Sequence, residues 1–346
     1  MSSTELPLLS PRPTVAVVVP TRNGAVGLER TVRAVLDQGV VVDEVVLAVG
    51  PSDDDTAAVA QRLAASDARL RVVENPSGRT PDALNAAIDA SGGDVVVRVD
   101  THAVIPPGYV AHAVERLRAT GAANVGGRQV PAADGGFARA VAAAMRSPVG
   151  AGGAAYRTGT VAGPADTVYL GAFRREALER VGGYDTRFAR NQDAELNLRL
   201  RRAGYEVWFD PTLAVEYRPR GTLQGLASQY LQYGRWRRLT GRVHPGSLAV
   251  RQLAAPTVVL VLLGGAAGSV AISDPRPVLV LAGGYLAVLL AAGVAAADGL
   301  RNAGPTALAL GTMHLSWGVG FLLGPPRGAE GRSPVRGGTV GRDGPA

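Results

Sequence analysis

An acid and a histidine two residues apart are the most chemically informative feature of the sequence. They follow an apolar run at 95–99, which ends in Asp100, Thr101 and His102. Residues i and i+2 of an extended strand point to the same face, so the carboxylate and the imidazole are expected to bind one divalent cation. Two protein ligands suit Mg²⁺ or Mn²⁺ held jointly with substrate phosphates, and the imidazole favours Mn²⁺. A turn-capping aspartate beside a structural histidine is the alternative.

A second carboxylate stands at the start of a predicted helix over 190–203. Leu196 and Leu200 mark the buried face of this helix, and Asp193 lies one turn earlier. Asp193 either caps the helix or projects into a cleft as a general base that removes a proton from an attacking hydroxyl. Glu195 is predicted to form a surface ion pair with Arg199, four residues further on.

Polar residues also follow two other predicted strands. The strand at 15–19 ends in Pro20, Thr21, Arg22 and Asn23, and the strand at 44–49 is followed by an acidic cluster that includes Asp54. Ligands of parallel α/β sheets bind beyond the carboxyl ends of the strands, so these residues could hold a nucleotide. An ordinary strand-to-helix turn and helix capping explain the same residues without a ligand.

The elements that position these residues alternate along the first hundred residues. Short β-branched runs predict strands at 15–19, 44–49, 70–73 and 94–99, and helices are predicted between them at 25–38, 54–66 and 80–91. This alternation predicts an α/β fold with a mostly parallel sheet. A helix at 108–119, a flexible loop at 131–164 and a short strand at 206–209 are expected to follow.

Composition limits the possible partners and compartments. The chain has 346 residues, no cysteine and a formal charge of +7, and all of its 36 basic residues are arginine. The lack of cysteine excludes disulfides and thiolate metal sites. No nucleic-acid motif accompanies the positive charge, so a membrane surface or phosphorylated substrates are the expected partners. The amino terminus lacks the pattern of a signal peptide, which predicts a cytoplasmic location for the soluble part.

Three nearly uncharged stretches follow in the carboxy-terminal third, at about 254–272, 278–297 and 305–324. A helix needs about 20 apolar residues to cross a bilayer, and the first two stretches fit this requirement best. The third contains Thr312, His314 and Ser316. A buried helical hairpin in a soluble domain is the alternative.

The arginines around these stretches bear on membrane topology. Five arginines at 235, 237, 238, 242 and 251 precede the first stretch, which favours a cytoplasmic catalytic part. Further arginines follow the last stretch, so an even number of spans satisfies the charge rule better, whereas length favours three. The sequence therefore predicts a multi-pass protein of the inner or plasma membrane.

Ordered motifs suggest a family. They are VVVPTRN at 17–23, NP at 75–76, ALN at 83–85, VDTH at 99–102, GAFR at 171–174, VGGYD at 181–185 and NQDAEL at 191–196. In this order they resemble family 2 glycosyltransferases of the GT-A fold, in particular bacterial succinoglycan-biosynthesis-type membrane enzymes. The resemblance covers roughly 14–240 and implies transfer of a sugar from a nucleotide-sugar.

The resemblance implies roles for individual positions. Asp100 matches the first acid of the family's Asp-x-Asp metal motif, His102 stands at its last position, and Asp193 matches the catalytic base. Seven residues fall on the donor side: Pro20, Arg22, Asn23, Asp54, Arg79, Asn85 and Asp100. Gln232, Arg235 and Trp236 match a Gln-x-x-Arg-Trp motif on the acceptor side of processive members, and a membrane-surface anchor is their alternative role.

One departure from the family concerns the nucleotide base. The family's second strand normally ends in an aspartate that pairs with a uracil-type base, and Val49 stands at this position. Other groups must therefore recognise the base of the donor.

These observations predict a disordered terminus at 1–13, a GT-A domain at 14–240, a membrane region at 241–324 with two to three helices, and a disordered tail at 325–346. The expected activity is inverting transfer from a nucleotide-sugar, with Mn²⁺ or Mg²⁺, to a lipid-linked saccharide, a polyprenyl carrier or a polysaccharide. A polyprenyl-phosphate sugar synthase and a non-catalytic membrane scaffold are alternatives. A dinucleotide dehydrogenase is disfavoured because no Gly-x-Gly-x-x-Gly turn follows the first strand.

Overall fold

A computed structural model describes residues 6–325 and divides them into two compact units. The first unit comprises 6–129 and 159–215, and the second comprises 130–158 and 216–325. This division differs from the domains expected above, because 130–158 and 216–243 pack with the apolar helices rather than with the sheet. The expected disordered tail and residues 1–5 lie outside the described residues. Residues 6–13 lie against the first unit, where Leu9 packs on the core and Arg174 donates to the carbonyl of Pro7.

The first unit contains eight strands and six α-helices among the described residues, and the last two residues of the fifth and eighth strands belong to the second unit. In chain order they are β1 (Val15–Thr21), α1 (Ala25–Leu36), β2 (Glu44–Val49), α2 (Thr56–Ser66), β3 (Leu70–Glu74), α3 (Thr80–Ala90), β4 (Val95–Arg98), α4 (Tyr109–Thr120), β5 (Asn124–Pro131), β6 (Gly163–Pro164), β7 (Tyr169–Arg174), α8 (Arg175–Val181), α9 (Gln192–Arg202) and β8 (Val207–Tyr217). In the second unit, α5 (Gly136–Arg146), α6 (Pro148–Ala151) and α7 (Ala155–Thr158) precede α10 (Leu223–Val243), α11 (Ala254–Ala271), α12 (Arg276–Ala296) and α13 (Ala303–Leu323).

The sheet of the first unit brings the predicted site residues to one edge. Its strand order is β3-β2-β1-β4-β7-β5-β8-β6. The first four strands run parallel, and β7 pairs antiparallel with both β4 and β5. Both faces of β1 are covered, as expected for a continuous β-branched run in a parallel sheet. The carboxyl ends of β1, β2 and β4 therefore meet at the same edge, and the predicted α/β class is confirmed.

Two regions differ from the elements predicted from sequence. The flexible loop expected at 131–164 contains α5, α6, α7 and β6. The turn of the metal motif is the second difference. β4 ends at Arg98, and the amide of Ala103 donates to the carbonyl of Asp100 at 2.8 Å, so 100–103 is a turn. Strand alternation therefore does not place Asp100 and His102 on one face.

The second unit is built around close helix contacts. Residues 6–325 include three helices that are long and apolar enough to cross a membrane: Val250–Ala271, Arg276–Ala296 and Leu300–Leu323. The third of these is half buried by protein, whereas 17% and 11% of the first two are buried. It packs against α10, where a Cβ at Gly234 would lie 2.0 Å from the carbonyl oxygen of Trp317, and one at Gly320 would lie 2.1 Å from that of Leu231. Only glycine permits this approach.

Candidate active site

The turn that follows β4 is fastened to the end of β1. The hydroxyl of Thr101 donates to the carbonyl of Pro20 at 2.7 Å and lies 3.0 Å from the hydroxyl of Thr21. The hydroxyl of Thr31, on α1, donates to the carbonyl of Thr101 at 2.7 Å. A Cβ at Gly24 would lie 2.4 Å from the Thr101 methyl carbon. The close approach of the loop after β1 to this turn therefore requires glycine at position 24.

Two predicted donor residues connect the loops at this edge. Nε of Arg22 donates to the carbonyl of Pro51 at 3.0 Å, and Nη1 donates to that of Gly78 at 3.4 Å. The side-chain oxygen of Asn23 accepts the amide of Asp53 at 2.9 Å. The structure therefore brings together the loops after β1, β2 and β3.

Asp54 has the capping role that sequence left open. Its carboxylate accepts the backbone amides of Ala25 and Thr56, each at 3.1 Å, at the starts of α1 and α2. The hydrogen bond from the Thr56 hydroxyl is the main reason that the pKa of Asp54 lies below its ordinary value. Asp54 thus fixes the loop after β2, and its predicted contact with donor stays a prediction.

Arg79 and Asn85 support the chain that leads into α9. Arg79 donates to the carbonyl of Thr186 at 2.9 Å and pairs with Asp82 at 3.0 Å. The amide of Asn85 donates to the carbonyl of Tyr184 and accepts its backbone N–H, both at 2.8 Å. Because the bonds to Thr186 and Tyr184 are made to backbone, both residues position the segment before α9.

Arg98 lies between the two carboxylates that sequence singled out. Its Nε donates to Asp100 at 2.8 Å, and its Nη1 donates to Asp193. The side chain of Arg98 is 7% exposed, whereas those of Asp100 and Asp193 are 36% and 41% exposed. The ring of Tyr184 lies 6.0 Å from the guanidinium carbon. The predicted metal ligand and the predicted base are thus joined through one buried cation, a contact that the sequence did not predict.

The protonation behaviour of Asp193 follows from this arrangement. Partial withdrawal from solvent raises the pKa of the Asp193 carboxyl, the positive charge of Arg98 opposes this rise, and the negative charge of Asp100 adds to it. Burial acts to lower the pKa of Arg98, but Asp100 and Asp193 outweigh it and raise the value well above the ordinary one. Asp193 is therefore a stronger base than a solvated aspartate, held beside a permanent cation.

A buried ion pair anchors α9 and thereby Asp193. Glu195 is fully buried, and Arg199 pairs with it at 2.7 Å. Arg199 also donates to the carbonyls of Val181 at 2.6 Å and Gly183 at 2.7 Å, beside α8. The predicted partner of Glu195 is correct, but the predicted surface location is wrong, because α9 packs this face against the turn after α8.

The donor set for a metal ion is small. Oδ1 of Asp100 is bound by Arg98, which leaves Oδ2 for a cation. His102 is exposed. Its ring lies close to Gly27 of α1, since a Cβ at Gly27 would lie 3.0 Å from Nδ1 of His102. No group of three or more metal-ligating side chains occurs within residues 6–325. Such a set fits an ion like Mg²⁺ or Mn²⁺, which takes further ligands from phosphate and water.

The predicted acceptor residues lie in the second unit, on α10. Nε of Arg235 donates to the carbonyl of Gly324 at 3.0 Å, and Trp236 is buried. Gln232 is half-buried on the same helix. Within the second unit these side chains hold α10 in place, and their predicted acceptor role stays a prediction.

Comparison with known structures defines the class of the first unit. The fold matches that of a mannosyltransferase from Pyrobaculum calidifontis, determined in complex with GDP-Man and Mn²⁺, with a TM-score of 0.61 and 22% identity. The match covers 92% of this chain and 89% of that one. The fold class is therefore that of the GT-A glycosyltransferases.

Comparison of sequences defines the family. Residues 16–182 match the model of glycosyl transferase family 2. The chain is 35% identical over 326 residues to the succinoglycan biosynthesis protein ExoA of Rhizobium meliloti (strain 1021), covering 93% of this chain and 96% of that protein. It is 30% identical over 251 residues to glycosyltransferase AglD of Haloferax volcanii, covering 66% of this chain and 38% of that protein. The chain belongs to glycosyl transferase family 2 and is a glycosyltransferase.

Proposed function

We propose that the protein is an inverting glycosyltransferase of exopolysaccharide or cell-envelope synthesis, transferring a sugar from a nucleotide-sugar to a lipid-linked or polysaccharide acceptor. The observation that carries this proposal is the pairing of Asp100 and Asp193 through Arg98 at the carboxyl edge of the sheet. The name of the Rhizobium meliloti relative and the GDP-Man in the Pyrobaculum calidifontis structure support the process and the donor class.

Asp193 is assigned the role of general base. Its carboxylate removes the proton from an acceptor hydroxyl, and the resulting oxygen attacks the anomeric carbon of the donor. The bond between this carbon and the diphosphate oxygen breaks, and the diphosphate leaves with the electron pair. Attack opposite to the leaving group inverts the anomeric centre. The raised pKa of Asp193 suits proton removal from a hydroxyl.

Arg98 is assigned the role of positioning Asp193. It is nearly buried and keeps its charge under all physiological conditions, so it holds the Asp193 carboxylate in one orientation and favours its ionised form. Since the Arg98 guanidinium also pairs with Asp100, it fixes the orientation of the Asp100 carboxylate, which is proposed to face the donor diphosphate.

Asp100, with His102, is the proposed holder of a divalent cation. When bound, such an ion neutralises the charge that develops on the leaving diphosphate. The Mn²⁺ of the Pyrobaculum calidifontis structure supports divalent metal use in this fold. The exposed His102 and the second oxygen of Asp100 provide the ligands for it in this chain.

The membrane location is part of the proposal. The three apolar helices of the second unit support attachment to the cell membrane, and the arginines before α11 favour a cytoplasmic catalytic unit. A lipid-linked acceptor would then reach the enzyme from the membrane. A polyprenyl-phosphate sugar synthase differs only in its acceptor, and an assay with polyprenyl phosphate separates the two activities.

The test is turnover with a panel of nucleotide-sugars. Full-length protein in membranes is incubated with each donor, with Mn²⁺, Mg²⁺ or a chelator, and nucleotide release is scored. We expect release with at least one donor in the presence of a divalent ion. We expect Asp193→Asn to lower that rate by about 10²–10⁴-fold, the usual contribution of a positioned base.

A matched control is Asp37→Asn, since Asp37 is exposed at the carboxyl end of α1. This variant should retain the rate of the parent protein. Absence of release with every donor would overturn the enzymatic proposal and favour a membrane scaffold. The scaffold would also gain support if Asp193→Asn left the cellular phenotype intact.

A further inference from the structure

The second unit contains a group of aromatic hydroxyls around an arginine that the proposed chemistry does not use. We call this group the tyrosine cluster; it consists of Tyr156, Arg157, Tyr217, Gln229, Tyr230 and Tyr233. α7 supplies the first two residues, the end of β8 supplies the third, and α10 supplies the rest.

Arg157 is held by phenols alone. Its Nε donates to the hydroxyl of Tyr156 at 3.2 Å, and its Nη1 donates to that of Tyr230 at 3.1 Å. The guanidinium carbon also lies 5.5 Å from the centre of the Tyr156 ring. Among the described residues, no carboxylate lies within ion-pair distance of Arg157, whereas the buried Arg98 and Arg199 each pair with acids.

The hydrogen bonding of Arg157 and its partners is unbalanced. Tyr156 and Tyr230 both accept from Arg157, so each keeps its own O–H to donate, and the described chain offers no acceptor for either. The guanidinium group has further N–H donors beyond the two in use. Tyr230 is buried, whereas Tyr156 and Arg157 are half-buried, so a ligand made of acceptors can reach these donors and satisfy them.

The charge of Arg157 is also uncompensated. Burial raises the pKa of the Tyr230 phenol, and Arg157 opposes this rise without reversing it, so the phenol remains neutral at physiological pH. Arginine stays protonated throughout. Arg157 is half-buried, and a positive charge partly removed from water is stabilised when an anion pairs with it. The cluster therefore favours a ligand that is anionic as well as rich in acceptors.

The surroundings of the cluster are apolar. Tyr230 belongs to a buried cluster that includes Leu289 of α12 and Leu310 and Met313 of α13. Tyr217 and Tyr233 pack against the same apolar cluster. The half-buried Arg157 thus lies next to Tyr230, a member of the apolar core that α10 shares with the candidate membrane helices α12 and α13, and a headgroup attached to a long apolar chain suits such a position.

We propose that the tyrosine cluster binds the phosphate of a polyprenyl phosphate or diphosphate, the lipid carrier of the acceptor. Phosphate oxygens would accept from the free N–H groups of Arg157 and from the hydroxyls of Tyr156 and Tyr230. The polyprenyl chain would lie along the apolar helices. This assignment rests on the proposed function, because it identifies the acceptor of the same transfer reaction.

Direct binding tests the assignment apart from turnover. Full-length protein in lipid nanodiscs is titrated with a radiolabelled polyprenyl phosphate, with the matching polyprenol and, in a separate arm, with inorganic phosphate as competitor. We expect the polyprenyl phosphate to bind, the polyprenol to bind much more weakly, and inorganic phosphate to compete only at far higher concentration.

Variants then locate the site. Arg157→Gln is expected to weaken polyprenyl phosphate binding about 10–100-fold, the effect of losing charge-assisted hydrogen bonds. The double variant Tyr156→Phe, Tyr230→Phe keeps the aromatic packing and removes both hydroxyls, so it should weaken binding in the same direction. Arg220→Gln is the control, since Arg220 is exposed in the same unit.

The outcomes separate this assignment from the proposed function. Nucleotide release in the absence of acceptor reports the donor site, so a variant that loses lipid binding but keeps this release supports the assignment. Equal binding of polyprenyl phosphate by the parent and both variants would overturn it. Binding of polyprenol as tight as that of polyprenyl phosphate would also overturn the assignment, because the phosphate would then contribute nothing. Competition by inorganic phosphate at a matching concentration would overturn it by showing a site for free anions.

Discussion

At the scale of single residues, Arg98 is the link between the two predicted acids that required the structure. Asp100 and Asp193 could be predicted, because spacing and motif order point to them. The pairing of both acids with Arg98 could not be predicted, since it depends on where α9 places Asp193 relative to β4. The same limit applied to Asn85, whose motif was recognised but whose bonds to the backbone of Tyr184 require the folded chain.

The raised pKa of Asp193 leads to a prediction about pH. The base must be ionised to accept a proton, so activity is lost as the pH falls through the pKa of Asp193. Burial raises that pKa above 3.8, and the acid limb of the rate profile should therefore have its midpoint above 3.8. The measurement is kcat/KM against pH at a series of metal concentrations, with the midpoint extrapolated to zero metal, because a cation at Asp100 lowers the pKa of Asp193. A midpoint at or below 3.8 would contradict the assignment of Asp193 as the base.

At the scale of elements, predictability followed the hydrophobic pattern. The four parallel strands and the helices between them were predicted within a few residues, because β-branched runs alternate with amphipathic stretches. The helices within residues 131–164 were not predicted, since alanine and glycine dominate that stretch. In α5 six of the eleven residues are alanine or glycine, a composition that is also typical of a loop, and the six residues 140–145 are all buried. The length of α10 was also missed, because its polar residues obscured its buried face.

Close packing between α10 and α13 gives a prediction about stability. A Cβ at Gly234 would meet the backbone oxygen of Trp317 at 2.0 Å, so Gly234→Ala must push the helices apart. We expect a loss of about 1–3 kcal/mol in the free energy of unfolding, as for other overpacked contacts. Thermal unfolding of the detergent-solubilised protein measures it.

Gly264→Ala is the matched control for this substitution. Gly264 lies in α11, and a Cβ added there would meet no neighbouring atom of the described chain within 4 Å. Alanine at this position should therefore leave the unfolding temperature unchanged or slightly higher. Similar losses in the two variants would show that the close contact between α10 and α13 is not what limits substitution.

At the scale of the whole molecule, the second unit bears on the number of membrane spans. α13 is half buried, and it lies beside α10, which carries four arginines at 235, 237, 238 and 242. One of them, Arg238, lies 5.2 Å from the ring centre of Phe321 on α13. Charged side chains are costly inside a bilayer. We therefore infer that α11 and α12 form a two-span hairpin and that α13 stays at the membrane surface, which also satisfies the charge rule.

Cysteine labelling checks this topology, since the parent chain has no cysteine. Single cysteines replace the exposed Val40, Leu300 and Leu323, and another replaces Ser273 between α11 and α12. In sealed vesicles, Val40→Cys, Leu300→Cys and Leu323→Cys should react from one side, and Ser273→Cys from the other. Reaction of Leu300→Cys and Leu323→Cys from opposite sides would show that α13 crosses the membrane.

The guanidinium shared by Asp100 and Asp193 makes the two acids thermodynamically linked. The negative charge of Asp100 raises the pKa of Asp193, so any positive charge that neutralises Asp100 lowers it. By reciprocity, a proton on Asp193 weakens the binding of a cation at Asp100 by the same factor. Loading of the donor edge with a cation therefore promotes ionisation of Asp193, the proposed base, so that occupancy of one acid is coupled to the protonation of the other.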